Sequence, residues 1–76
     1  MYENLNLAQS IEILIAETCY LRKSLTKHKS TDKQFLRLVR TWVDYINIIH
    51  SVPEPIREEL KEEIMTQVAL RNGLPL

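Results

Sequence analysis

The spacing of the apolar residues in the middle of the chain constrains its fold more than any other feature. Phe35, Leu36, Leu38, Val39, Trp42, Val43, Tyr45, Ile46, Ile49 and Val52 recur with the period of an α-helix. At about 100° per residue they span roughly 200° of the circumference, about twice the stripe that a helix lying on one surface requires. Such a helix has to be covered on more than one side, so it is the central element of the fold. Lys33, Arg37, Arg40, Asp44 and Asn47 take the polar arc that remains, with Thr41 and Ile48 at its margin.

The flanking segments supply the cover. Leu7, Ile11, Leu14, Thr18, Leu21 and Leu25 alternate at spacings of four and three, which predicts a helix over about 6–28. Asn4 or Asn6 can cap its start, and Arg22, Lys23, Lys27 and Lys29 suit the negative end of its dipole. Ser30-Thr31-Asp32 breaks the pattern, and Thr31 followed by Gln34 reads as a capping box that opens the central helix, about 32–51. Val52 precedes a proline and so leaves the helical region, whereas Pro55 suits the first turn of a third helix, about 55–72. There Ile56, Leu60, Ile64 and Val68 repeat every four residues, Glu58 and Glu59 lie near the positive end and Arg71 in the last turn. Gly73 with Leu74 reads as the stop, and Pro75 prevents resumption. Two helices of about 20 residues, each about 30 Å long and joined by a few residues, fold back on each other. The expected fold is all-α: an antiparallel helical hairpin plus a third, shorter helix, forming a three-helix bundle in a single domain over residues 1–76.

Composition narrows the function. A 76-residue chain buries only about 60% of the surface its unfolded form exposes, so its margin of stability is thin. Cys19 is the only cysteine, which rules out an internal disulfide. Its lone thiol suits a reducing compartment and a cytoplasmic protein. Ten basic residues balance ten acidic ones, leaving no overall field to draw the chain to nucleic acid or membrane. The segment from Met1 to Leu7 has no basic flank before an apolar run, and no stretch approaches the ~20 apolar residues of a membrane span. Neither a signal peptide nor a membrane helix is therefore expected. With 45% apolar residues, one glycine and three prolines, the chain is too hydrophobic for disorder and too poor in turn formers for an all-β fold.

Residues that could carry chemistry are few. Cys19 would need His28 or His50 as its base, but nine residues along a helix turn Cys19 and His28 to opposite sides. The two histidines fall at opposite ends of the hairpin. Metal-binding bundles place a glutamate three residues before a histidine, and here Leu25 and Asn47 stand at those positions. Glu58, Glu59, Glu62 and Glu63 read as a solvated acidic face. No phosphate loop or nucleophile motif is present. The expectation is a non-catalytic protein with no cofactor and no metal.

Partner binding fits the pattern better. Ile13, Ala16 and Tyr20 form a second apolar set, more than about 100° away from the Leu7–Leu25 seam. Either the third helix covers them or they remain as surplus surface alongside the broad arc of the central helix. Homodimerisation into a larger helical bundle would dispose of such a surplus. The leading expectation is a small self-associating interaction module, regulatory or adaptor in role, that also binds a protein partner. Its interface would use Ile13, Ala16, Tyr20, Leu38, Tyr45 and Ile49; Phe35 and Trp42 read as core. The alternative is a nucleic-acid-binding regulator. From Arg22 to Arg40 seven cations face a single acid, Asp32, and a tip built from Lys27, Lys29, Lys33, Arg37 and Arg40 could grip phosphates. No residue motif identifies a family.

Overall fold

Capping residues set where each helix starts. In a computed structural model of the chain, which describes residues 2–75 and only the backbone of Glu3, a 3-10 turn at Tyr2–Asn4 precedes α1 (Leu7–Lys27), α2 (Asp32–Ile49) and α3 (Glu54–Arg71). Asn6 caps α1: its Oδ1 accepts the Gln9 N–H at 2.8 Å, and Gln9 Oε1 accepts the Asn6 N–H at 3.1 Å. This is a capping box built on asparagine. Thr31 and Gln34 form the same device on α2, at 3.2 and 2.8 Å. Pro53 precedes α3 and gives it no side-chain cap.

All three helices end alike. Ser30 N–H reaches Leu25 O at 2.9 Å, Val52 N–H reaches Asn47 O at 3.0 Å, and Leu74 N–H reaches Ala69 O at 2.8 Å. Each bond closes a Schellman motif, with Lys29, Ser51 and Gly73 in the left-handed region at φ 61°, 53° and 66°. Helix α2 thus ends at Ile49, two residues short of the expected 51, because Ser51 turns the chain before Pro53 is reached. Only Gly73 is a residue without a Cβ penalty in that conformation. Lys29→Gly and Ser51→Gly are each expected to raise stability by about 0.5–1 kcal/mol, which is roughly 2–8 °C in a melt followed by circular dichroism. A fall in melting temperature at either site would contradict the assigned motif.

Tertiary contacts fix the helix directions. Ser10 near the start of α1 meets His50 at the end of α2, and Arg22 near the end of α1 meets Asp32 at the start of α2, so the two are antiparallel. α3 packs against both, and its end reaches Thr18 through Asn72, so it runs along α1 in the same direction. The bundle measures 35 × 25 × 16 Å, its length set by the ~30 Å rise of a helix as long as α1. Among the described residues no helix is long and apolar enough to cross a membrane.

The core joins Leu14 of α1, Phe35, Val39, Val43 and Ile46 of α2, and Ile64, Met65 and Val68 of α3. Ile56, expected on the buried row of α3, is 51% exposed. A step of four residues overshoots the helical turn by about 40°, so a strict four-residue row winds off the contact face. The buried face is instead Ile64 and Val68 with Met65 and Ala69. Asn47 also departs from expectation: it is 1% exposed rather than part of the polar arc. Arg40, Asp44 and Asn47 lie on one row of α2. The two charged side chains reach out to Glu62 and Lys61 of α3, while Asn47, beside the turn into α3, is enclosed. Its Oδ1 and Nδ2 have no hydrogen-bond partner. The other buried polar side chains are satisfied. Ser10 Oγ lies 2.9 Å from His50 Nε2. Thr18 Oγ1 donates to Ile15 O at 2.6 Å and accepts from Asn72 Nδ2 at 3.2 Å.

Candidate interaction surface

Residues Leu38, Trp42, Tyr45 and Ile49 of α2 succeed one another at four, three and four positions, a spacing that lines them up on one flank of the helix. With Leu21 of α1 and Thr41, the first three line a hollow of about 470 Å³. Leu38 is 47% and Tyr45 50% exposed, while Trp42 and Ile49 are half-buried. A neighbouring groove lined by Leu25, Ser30, Gln34 and Arg37 shares Leu38 and Thr41, so the depression continues toward the α1–α2 turn. Tyr2 meets Trp42 in an edge-to-face arrangement, with ring centroids 6.1 Å apart. Burial raises the pKa of the Tyr2 phenol above its ordinary value, with the Glu17 charge adding to the effect and a hydrogen bond with Trp42 partly opposing it.

Tyr20 belongs to a different hollow. A depression of about 840 Å³ runs between α1 and the end of α3, lined by Cys19, Tyr20, Lys23, Lys27 and Arg71 among others. The six residues expected to form one interface are therefore divided. Leu38 and Tyr45 share the α1–α2 hollow, and Tyr20, 72% exposed, stands in the second. Ala16 is exposed and Ile13 half-buried. α3 meets α1 along Ile11 and Ile15, through Leu60 and Ile64, and leaves Tyr20 uncovered.

The charged groups are also sorted. Arg22 is held by Asp32 at 3.2 Å and donates through Nη1 to Asn72 O, tying all three helices together. Arg40 points away from the basic tip and meets Glu62 at 3.0 Å, in an exposed pair worth about 0–1 kcal/mol. Lys61 bridges Asp44 at 3.1 Å and Glu58 at 3.3 Å. The hydrogen bond that Lys61 donates to Asp44 is the main reason its pKa stands above the ordinary lysine value, against some desolvation. Lys27, Lys29, Lys33 and Arg37 are exposed, and with Lys23 and Arg71 they enter no ion pair among the described residues.

Among the described residues one hydroxyl pairs with an imidazole, that of Ser10 with His50; the serine is fully buried and the bond joins α1 to α2. His28 is an exposed C-cap and Cys19 is half-buried. Among the described residues no three His, Cys, Asp or Glu side chains gather closely enough to hold a metal. Trp42, expected in the core with Phe35, is instead half-buried and forms a wall of the hollow. Nothing in the sequence marked Tyr2 as its neighbour. No family model matches the chain, and no curated protein or solved structure is detectably similar to it.

Proposed function

We propose that this chain is a non-catalytic interaction module that pairs with a second copy of itself through the α1–α2 face, and that it acts as a regulatory or adaptor protein. The apolar hollow formed by Leu21, Leu38, Thr41, Trp42 and Tyr45 carries this reading. It presents an aromatic and aliphatic lining to solvent in a chain whose single core is small. On the same reading the lone Cys19 suits a reducing compartment such as the cytoplasm.

Charge selects the second copy as the occupant. At the end where α1 stops, α2 starts and α3 stops, Arg22, Lys23, Lys27, Lys29, Lys33, Arg37 and Arg71 face only Asp32. In the rest of the chain nine acids outnumber Arg40, Arg57 and Lys61. The zero net charge therefore conceals +6 at one end and −6 elsewhere. An antiparallel two-fold pairing across the α1–α2 hollow sets each basic end beside the acidic end of the other copy, whereas a parallel pairing would stack like charges.

Sedimentation equilibrium tests this. The expected particle has twice the 9.0 kDa mass of the chain, dissociates more readily as salt rises, and becomes a single chain when Leu38 and Thr41 are both changed to Glu with helicity retained. A wild-type chain that sediments as a monomer at every concentration would overturn the reading.

A further inference from the structure

We infer that the hollow between α1 and the end of α3 binds single-stranded nucleic acid, with Tyr20 as a stacking platform and Lys23, Lys27 and Arg71 as phosphate contacts. Four cations and no acid line a depression of about 840 Å³, and one of its walls is an aromatic ring that is 72% exposed. Arg22, the fourth cation, is occupied by Asp32 and by the Asn72 carbonyl. Lys23, Lys27 and Arg71 are left without an anionic partner. The Tyr20 side chain makes no hydrogen bond or ring contact among the described residues.

The helix dipole accounts for Lys27 and Arg71, which lie in the last turns of α1 and α3. It does not account for Lys23, a turn earlier. Nor does it explain why a tyrosine with no packing role stands among the cations. A groove that combines unpaired cations with an open aromatic face is what a flexible strand requires, since its phosphates need charge and its unstacked bases need a π surface. A duplex offers no free base to Tyr20. A phosphopeptide or an anionic membrane would use the charge without requiring a hollow that carries a stacking face.

This site also differs from the tip expected from sequence. Arg40 is drawn off by Glu62, while Arg71 enters from the far end of the chain because α3 runs alongside α1. The two hollows share no lining residue, although Lys23, Lys27 and Arg71 belong to the basic end whose charge the α1–α2 pairing also draws on.

The test is fluorescence anisotropy with labelled single-stranded oligonucleotides of thymine and of adenine, a duplex of the two, and phosphatidylserine vesicles as a separate arm. Both the wild-type chain and the variant with Leu38 and Thr41 changed to Glu are used. The single strands are expected to bind, and a fourfold increase in salt is expected to weaken binding roughly twentyfold, the dependence for about three phosphate contacts. Tyr20→Ala should lose at least about fivefold and Tyr20→Phe should retain affinity. Neutralising Lys23, Lys27 or Arg71 to glutamine should each flatten the salt dependence, whereas Arg40→Gln should leave it unchanged. Four results would each overturn the proposal: no binding at low salt, equal affinity for duplex, binding confined to vesicles, or indifference to Tyr20→Ala in a chain that keeps its helicity.

Discussion

Truncating Phe35 to alanine is expected to remove about 3–5 kcal/mol of folding free energy, out of a total of about 4–11 kcal/mol for a domain of this size. Phe35 is the largest fully buried side chain, 1% exposed. It stands in the first turns of α2, where it belongs to the cluster that takes Leu14 from α1 and Ile64, Met65 and Val68 from α3. The core is a single cluster with few large members, so no second core takes up the loss. The lining of the new cavity also comes from all three helices, which limits its collapse. Urea denaturation followed by circular dichroism should show a midpoint lowered by about a quarter or more, up to a chain unfolded without denaturant. The same truncation at Tyr20, 72% exposed, should stay within about 0.5 kcal/mol of the wild type. Equal effects at the two positions would show that Phe35 does not hold the helices together.

The helices were legible in the sequence because periodicity and caps are local properties. The apolar arc of α2 is written in the spacing from Phe35 to Val52, and Thr31 with Gln34 announces its start. What escaped depends on neighbours that are distant in sequence. Ser10 is a polar letter in any local reading, yet it is fully buried because His50, 40 residues away, supplies its partner. Lys29 and Ser51 occupy left-handed positions that only a glycine would have advertised. Ile56 looked like core because a four-residue repeat approximates the helical period over one turn but not over three. The candidate surface shows the same limit. Tyr20, Leu38 and Tyr45, three of the six residues expected at one interface, are exposed. Whether they face one partner or two depends on which side of α1 receives α3, and the spacing within α1 does not contain that.

The division has a functional logic. α1 packs against both α2 and α3, and each seam it forms opens on a different surface. The seam with α2 opens on an apolar hollow next to Tyr2 and Trp42. The seam with the end of α3 opens on a cationic one. The two proposals therefore call on different physics, burial of apolar area on one side and counterion release on the other. High salt weakens the second far more than it weakens the apolar part of the first, so the two activities can be measured apart in the same preparation.

Asn47→Leu is expected to stabilise the protein by about 2 kcal/mol, because the asparagine leaves both of its polar side-chain atoms buried and unpaired, each at a cost of about 1–3 kcal/mol before relaxation. Leucine also favours the helical conformation by up to about 0.5 kcal/mol. The branched shape is kept, so little repacking is asked of the site. A gain of this size corresponds to roughly 8–16 °C in melting temperature. Asn47→Asp should do the reverse, since an ionised carboxylate there has no partner at all. The position matters beyond its energy. Asn47 lies where α2 hands over to α3, the one helix without a side-chain cap, whose first turn leaves Pro55 and Ile56 exposed. These weak points coincide, so the start of α3 is expected to exchange its amide hydrogens sooner than the middle of α2, and Asn47→Leu should slow that exchange selectively. A melting temperature lowered by the leucine, together with unchanged exchange in α3, would mean that the amide is satisfied in solution and that the seam between α2 and α3 is no weaker than the rest.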